Sequence, residues 1–223
     1  MTAPLHLCKW HLVSVLCTLI AFSLAGCGSG QPVRVLAEGE TTLSASIGGP
    51  IVPSTSPVGI VPYLTAGTAF GVTNDVSVHG NLHVIMSAFA VGGLDLGASA
   101  RLIHQDAAIP ELTLSTRLIG FMKFGDPVSP RLYPDVALNA SWEIASRTLA
   151  YVGTHGTFQW KPGAFYLSPF IGIQFPVSSA ICIQTELIWQ AANHDTRIGV
   201  FEGSSSIGGM GSFGGFIAGV ITI

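Results

Sequence analysis

Apolar and polar positions alternate with a period of two over most of the chain. Val136, Leu138, Ala140, Trp142 and Ile144 interleave with Ala137, Asn139, Ser141, Glu143 and Ala145. Ile181, Ile183, Thr185, Leu187 and Trp189 interleave with Cys182, Gln184, Glu186, Ile188 and Gln190. Leu112 to Ile119 and Phe165 to Phe175 repeat the pattern. Successive side chains of a strand point to opposite faces, so each run presents one apolar face and one small, polar face. Clusters of Gly, Pro, Ser and Asn divide the runs. The pattern predicts strands near 36–48, 58–72, 76–91, 94–104, 110–124, 134–144, 147–160, 164–176, 180–191 and 206–223.

Ten is an even number, which puts both ends of the strand array on one side. The connections alternate in character. Thr73-Asn74-Asp75, Ala145-Ser146 and Val177-Ser178-Ser179 are tight, whereas Gly49 to Pro57, Gly125 to Pro134 and Asn193 to Ser205 are longer. Two connections depart from the alternation: Gly92-Gly93 is short on the long-loop side, and His104 to Pro110 is long on the short-turn side.

Composition decides what the strands face. Hydrophobic residues make up 48% of the 223 and charged residues 9%, against about 25% charged in a soluble domain. A soluble sandwich needs polar outer faces that this chain cannot supply. Membrane helices are disfavoured as well. The uncharged stretch Gly163 to Thr185 holds Pro169 and Pro176, and Gly203 to Ile223 holds seven glycines; a helix loses about 1 kcal/mol per glycine and about 3 per proline. Lipid cannot satisfy an open strand edge, so the sheet should close on itself. The expected fold is therefore all-β, a single antiparallel up-and-down transmembrane barrel of about ten strands. The formal charge of −3 offers no basic footprint for nucleic acid.

The N-terminus has its own logic. Lys9, His6 and His11 precede an apolar segment from Leu12 to Phe22, which ends in Leu24-Ala25-Gly26-Cys27. The segment has the length of a signal-peptide core and is too short for a spanning helix. Leu24 to Cys27 resembles the lipobox of bacterial lipoproteins. That resemblance implies removal of residues 1–26, acylation of Cys27 and anchoring in outer-membrane lipid, with Gly28 in place of the inner-membrane retention signal. Residues 27–35 then read as a flexible tether and 36–223 as the barrel. Lys9 alone of nine basic residues precedes Cys27, so eight remain against twelve acidic ones. Cys8 and Cys17 leave with the signal, and Cys182 has no partner for a disulfide.

The region 36–223 resembles the small outer-membrane β-barrels of Gram-negative bacteria. Gly71-Val72-Thr73-Asn74-Asp75 and Phe175-Pro176-Val177-Ser178-Ser179 look like the inner turns of that family. The resemblance implies tight turns and both termini at the periplasmic side, with the longer loops outside. The chain departs from the family at its end: Val220-Ile221-Thr222-Ile223 lacks the usual final aromatic, and Phe213 and Phe216 are set back.

Candidate chemistry is sparse. Gly209 to Gly214 fits G-x-G-x-x-G, but the chain ends where a helix and an acidic residue should follow. His79 and His83 lie four apart on one strand, roughly 13 Å at about 3.3 Å per residue, too far to share a metal. No serine sits in a G-x-S-x-G turn. No catalytic residue, metal or cofactor is expected. Arg101, Arg117, Lys123, Glu143 and Glu186 fall on or near the polar face and are expected in the lumen, with Glu143 and Glu186 facing basic partners. Charges in a narrow lumen should pair into a ladder that fills it, and interiors of about eight strands are filled by side chains. Tyr63, Trp142, Trp160, Tyr166 and Trp189 lie near strand ends, where interface aromatics collect. The expected role is structural or binding in the cell envelope, with partners at the outer loops unidentified. The alternatives are a narrow pore for small solutes and a membrane lipid hydrolase.

Overall fold

The computed structural model describes residues 31–51, 63–125, 130–160, 163–195 and 207–223. Ten strands among them form one closed antiparallel barrel. They are β1 (Thr41–Pro50), β2 (Tyr63–Thr73), β3 (Val76–His83), β4 (Val91–Ile103), β5 (Glu111–Lys123), β6 (Arg131–Ala145), β7 (Thr148–Gln159), β8 (Ala164–Pro176), β9 (Ile181–Asp195) and β10 (Met210–Thr222). Each strand pairs with the next in sequence. β1 pairs with β10 from Thr42↔Thr222 to Pro50↔Gly214 and removes both edges. Cys27 and the signal segment lie outside the described residues.

The period-two pattern becomes two surfaces. Leu43, Ile47, Leu82, Leu96, Val136, Ile171, Leu187 and Ile217 are exposed around the outside, Leu96 at 60%. Asp95, Ser99, Thr113, Asp135 and Ser141 are each 1% exposed or less. Water-soluble monomers rarely expose continuous apolar patches beyond a few hundred Å2. This wall inverts that arrangement all the way round, which is the surface of a strand barrel in lipid.

The tight turns Thr73–Val76, Ala145–Thr148 and Val177–Ile181 share one end with the start of β1 and the end of β10. We call it the inner end. The longer β4–β5 connection also lies there and is pinned as a small hairpin, with Asp106 and Ile109 exchanging backbone hydrogen bonds of 3.1 and 2.8 Å.

Two expectations are corrected. Gly92-Gly93 is not the β3–β4 connection. Both lie inside β4, and the chain turns at a 3-10 helix, Val84–Phe89, closed by Ala90 at φ 55°. The segment Val84 to Phe89 stays apolar because Ile85 and Met86 pack on a buried cluster, so nothing in its composition marks a turn. A Cβ at Gly93 would stand 2.7 Å from that of His83, which explains the glycine within a strand.

The second correction concerns the tether. Residues 31–36 are not loose where described. Val33 and Val35 are 4% and 5% exposed, and the Asn139 side-chain amide donates to the Val33 carbonyl at 2.7 Å. This segment crosses the lumen near its inner end. β1 starts at Thr41 rather than 36 because a turn intervenes, with Gly39 at φ 78° and Glu40 N–H bonded to the Ala37 carbonyl at 3.0 Å.

Candidate functional site: the filled lumen

The lumen is built from inward positions of all ten strands. Its middle is held by a buried ion pair. Arg117 on β5 and Asp135 on β6 are directly opposed in register. Arg117 Nε donates to Asp135 Oδ1 at 2.9 Å. Thr157 Oγ1, opposite Asp135 on β7, donates to Oδ2 at 2.6 Å, and His155 Nδ1 lies 3.2 Å from Oδ1. One carboxylate thus has three neighbouring partners. That arrangement makes a buried charge tolerable in a low-dielectric interior.

A second polar group stands beside it on β2, β3 and β4. His83 Nε2 lies 3.2 Å from Asp95 Oδ2. Asn81 donates to the other oxygen of Asp95 at 2.8 Å, and the Tyr63 hydroxyl is hydrogen-bonded to His83 Nδ1. Across the lumen, Gln184 donates to the Tyr151 hydroxyl at 3.0 Å, and that hydroxyl reaches Glu186 Oε2 at 3.3 Å. Gly172 leaves room for the Tyr151 ring, since a Cβ there would stand 2.2 Å from it. Val33, Tyr63, Leu149, Tyr151, Phe170, Ile188 and Phe216 form one apolar cluster within the barrel, capped by Ile85 and Met86.

The inner mouth carries a third polar group. Arg34 Nε donates to Ser141 Oγ at 2.9 Å, and Arg34 Nη2 donates to Gln105 Oε1. Arg34 also lies 3.8 Å from Glu111 and 3.9 Å from Glu143. Arg101 Nε is 3.4 Å from the same Glu111 oxygen. Beside this group is a cavity of about 210 Å3 lined by Gln31, Thr42, Gln174, Cys182 and Gln184, among others.

The structure distributes the sequence-selected charges unevenly. Arg117 and Glu186 lie deep in the lumen, 5% and 6% exposed. Arg101 and Glu143 stand at the inner mouth, where the Glu143 side chain is 46% exposed beside Arg34. Lys123 is corrected: it is exposed at the outer end of β5, opposite Val91, and takes no part in the lumen. Its position continues the inward parity, but the strand has by then reached the rim.

Among the aromatics, Trp189 lies on the outside of β9. It stacks on Phe213 at 5.6 Å and donates its indole N–H to the Met210 carbonyl at 2.9 Å. Trp142 faces outward near the inner end and donates to the Ala108 carbonyl at 3.0 Å. Trp160 is exposed between β7 and β8, edge-on to Phe158. Tyr63 is corrected: it is 3% exposed and points inward. Tyr166 is corrected likewise, sharing the inward parity of Ser168 and Phe170 and lying against His194. Both positions are near strand ends, but β-register decides the face.

Asp95, Asp135 and Tyr151 escaped the sequence reading, and His83 entered it only as a rejected metal ligand. Asp95 between Leu94 and Leu96, and Asp135 between Pro134 and Val136, stand out only once the inward parity of their strands is fixed. Gly209 to Gly214 lies at the outer start of β10, with Gly211 at φ 58° in a register shift, and no helix follows.

Several solved structures are similar to the chain at low identity. No family model matches the chain, and no curated protein does. The translocator domain of the autotransporter NalP from Neisseria meningitidis is similar at 10% identity, with 95% of each chain covered and a TM-score of 0.45. Ail, the attachment invasion locus protein of Yersinia pestis, is similar at 11% identity over 83% of this chain and 98% of its own, with a TM-score of 0.27. Outer membrane phospholipase A from Escherichia coli is similar at 8% identity over 85% of this chain and 94% of its own, with a TM-score of 0.30. The likeness is one of fold.

Proposed function

We propose that this chain is a bacterial outer-membrane barrel with a closed lumen, anchored through acylated Cys27, that serves the envelope in a structural or binding role. One observation carries the closed-lumen reading: the wall's own side chains fill the middle of the barrel. Arg117, Asp135, His155, Tyr151 and Phe170 meet there, so the barrier does not depend on a removable loop. The apolar exterior supports residence in lipid. Leu24-Ala25-Gly26-Cys27 supports export and anchoring, since several acyl chains give stable attachment at about 0.8 kcal/mol per buried CH2. Partner binding falls to the outer loops, most of whose residues lie outside the described ones.

Planar-bilayer recording of the purified full chain tests this reading. Silent bilayers are expected, and uniform current steps would overturn the closed lumen in favour of a solute pore. Mass analysis of the mature N-terminus tests the anchor: a diacylated or triacylated Cys27 is expected, lost in Cys27→Ala. Catalysis forms no part of the reading, and a serine labelled by fluorophosphonate would introduce it.

A further inference from the structure

The inner mouth holds a bent segment of chain by side chains rather than by strand pairing. Residues 31–36 belong to no strand. Val33 and Val35 are buried, and Arg34 between them enters a bracket made by Gln105, Glu111, Ser141 and Glu143. Asn139 holds the intervening backbone at the Val33 carbonyl. The chain bends at Val33 and Arg34 as it enters the mouth.

The bracket has a property that a permanent core contact does not need. Three of the four residues that hold Arg34 keep another partner. Glu111 Oε2 keeps Arg101 Nε at 3.4 Å. Gln105 Oε1 accepts the Glu143 backbone N–H at 2.8 Å. Glu143 Oε1 accepts the Arg147 backbone N–H at 2.9 Å. Withdrawing Arg34 therefore leaves neither carboxylate without a partner, and the penalty for breaking a buried pair does not arise at either.

We propose that the inner mouth is a receptor for a short peptide bearing arginine between two β-branched residues, occupied here in cis and displaceably by Val33-Arg34-Val35. The cavity beside it, lined in part by Gln31, Gln184 and Cys182, becomes continuous with the mouth when the segment leaves. Val33 packs in the same apolar cluster as Tyr151 and Phe170, but the barrier residues themselves belong to the wall, so a silent bilayer and a displaceable segment are compatible.

The test uses the full chain in detergent and a fluorescent synthetic peptide of residues 31–37. Arg34→Ala in the protein weakens the cis occupant and should tighten peptide binding at least about tenfold over the unchanged chain, the value of one charge-assisted contact. The same substitution in the peptide, or Glu111→Gln added to the protein, should cost about as much. Absent binding to folded Arg34→Ala protein, or binding indifferent to the peptide's arginine, would overturn the proposal. If Arg34→Ala does not fold, Val33→Cys in the otherwise unchanged chain serves instead. Excess peptide should speed modification of that cysteine by a water-soluble maleimide, and an unchanged rate would overturn the proposal equally.

Discussion

Arg117 and Asp135 stand directly across from each other on β5 and β6, joined at 2.9 Å with both side chains 1% exposed. Their pairing makes two charges tolerable at the centre of so apolar a protein. Asp135→Ala removes the carboxylate to which Arg117 donates, and a loss of about 3–5 kcal/mol is expected. Arg117→Met with Asp135→Leu removes both charges and should cost much less or nothing. Reversible denaturant unfolding in vesicles measures both, and a double variant no better than the single would show that packing rather than charge governs the site.

Leu96 lies halfway along β4 on the outer face. Leu96→Arg should destabilise by about 2–4 kcal/mol in a bilayer, the cost of arginine near the midplane of a barrel wall. On a water-facing strand the same change would be nearly neutral. Unfolding free energies from vesicles separate the two cases, and an unaffected variant would argue against a lipid-facing wall.

Gly172 lies opposite Tyr151 on the neighbouring strand. Gly172→Ala drives a methyl into the tyrosine ring, and such overpacking costs about 1–3 kcal/mol. Adding Tyr151→Phe relieves little, because the atoms met first include the ring carbon itself. Tyr151→Leu should restore more of the loss. Melting temperatures of the three variants order them, and equal melting would remove the steric explanation.

Trp142, Trp160 and Trp189 differ from Tyr63 and Tyr166 in face, not in distance from a strand end. Trp189 stacks with Phe213 on the outer surface. Brominated lipids labelled near the headgroup should quench a variant retaining Trp189 alone more strongly than lipids labelled at the chain end. The reverse order would put this ring at mid-depth.

How much of this could be read from the chain differs by element. β8 has the bounds that its alternation gives, 164–176, because the alternation runs unbroken between Gly163 and the Pro176 turn. The turn after β3 was illegible because Val84 to Phe89 is apolar for a tertiary reason, the cap over the lumen cluster. The segment 31–36 was misread for the opposite reason. Its composition is that of a linker, and its order comes from Asn139, more than a hundred residues away. Periodicity indicates which residues share a face. It does not indicate which rim a strand end has reached, which is why Lys123 was assigned to the lumen. Nor does it pair one inward residue with another, so the partnership of Arg117 with Asp135 waited for the β5–β6 register.

Ile223, just past β10, donates its backbone N–H to the carbonyl of Thr41, the first residue of β1. The seam is therefore closed by β10, which is made after the other nine strands. A chain halted before Met210 has nine staves and two raw margins, and lipid offers neither margin a hydrogen-bonding partner. Truncation from this side should abolish the membrane form outright rather than weaken it by degrees, and a degradation-prone periplasmic species should accumulate in its place.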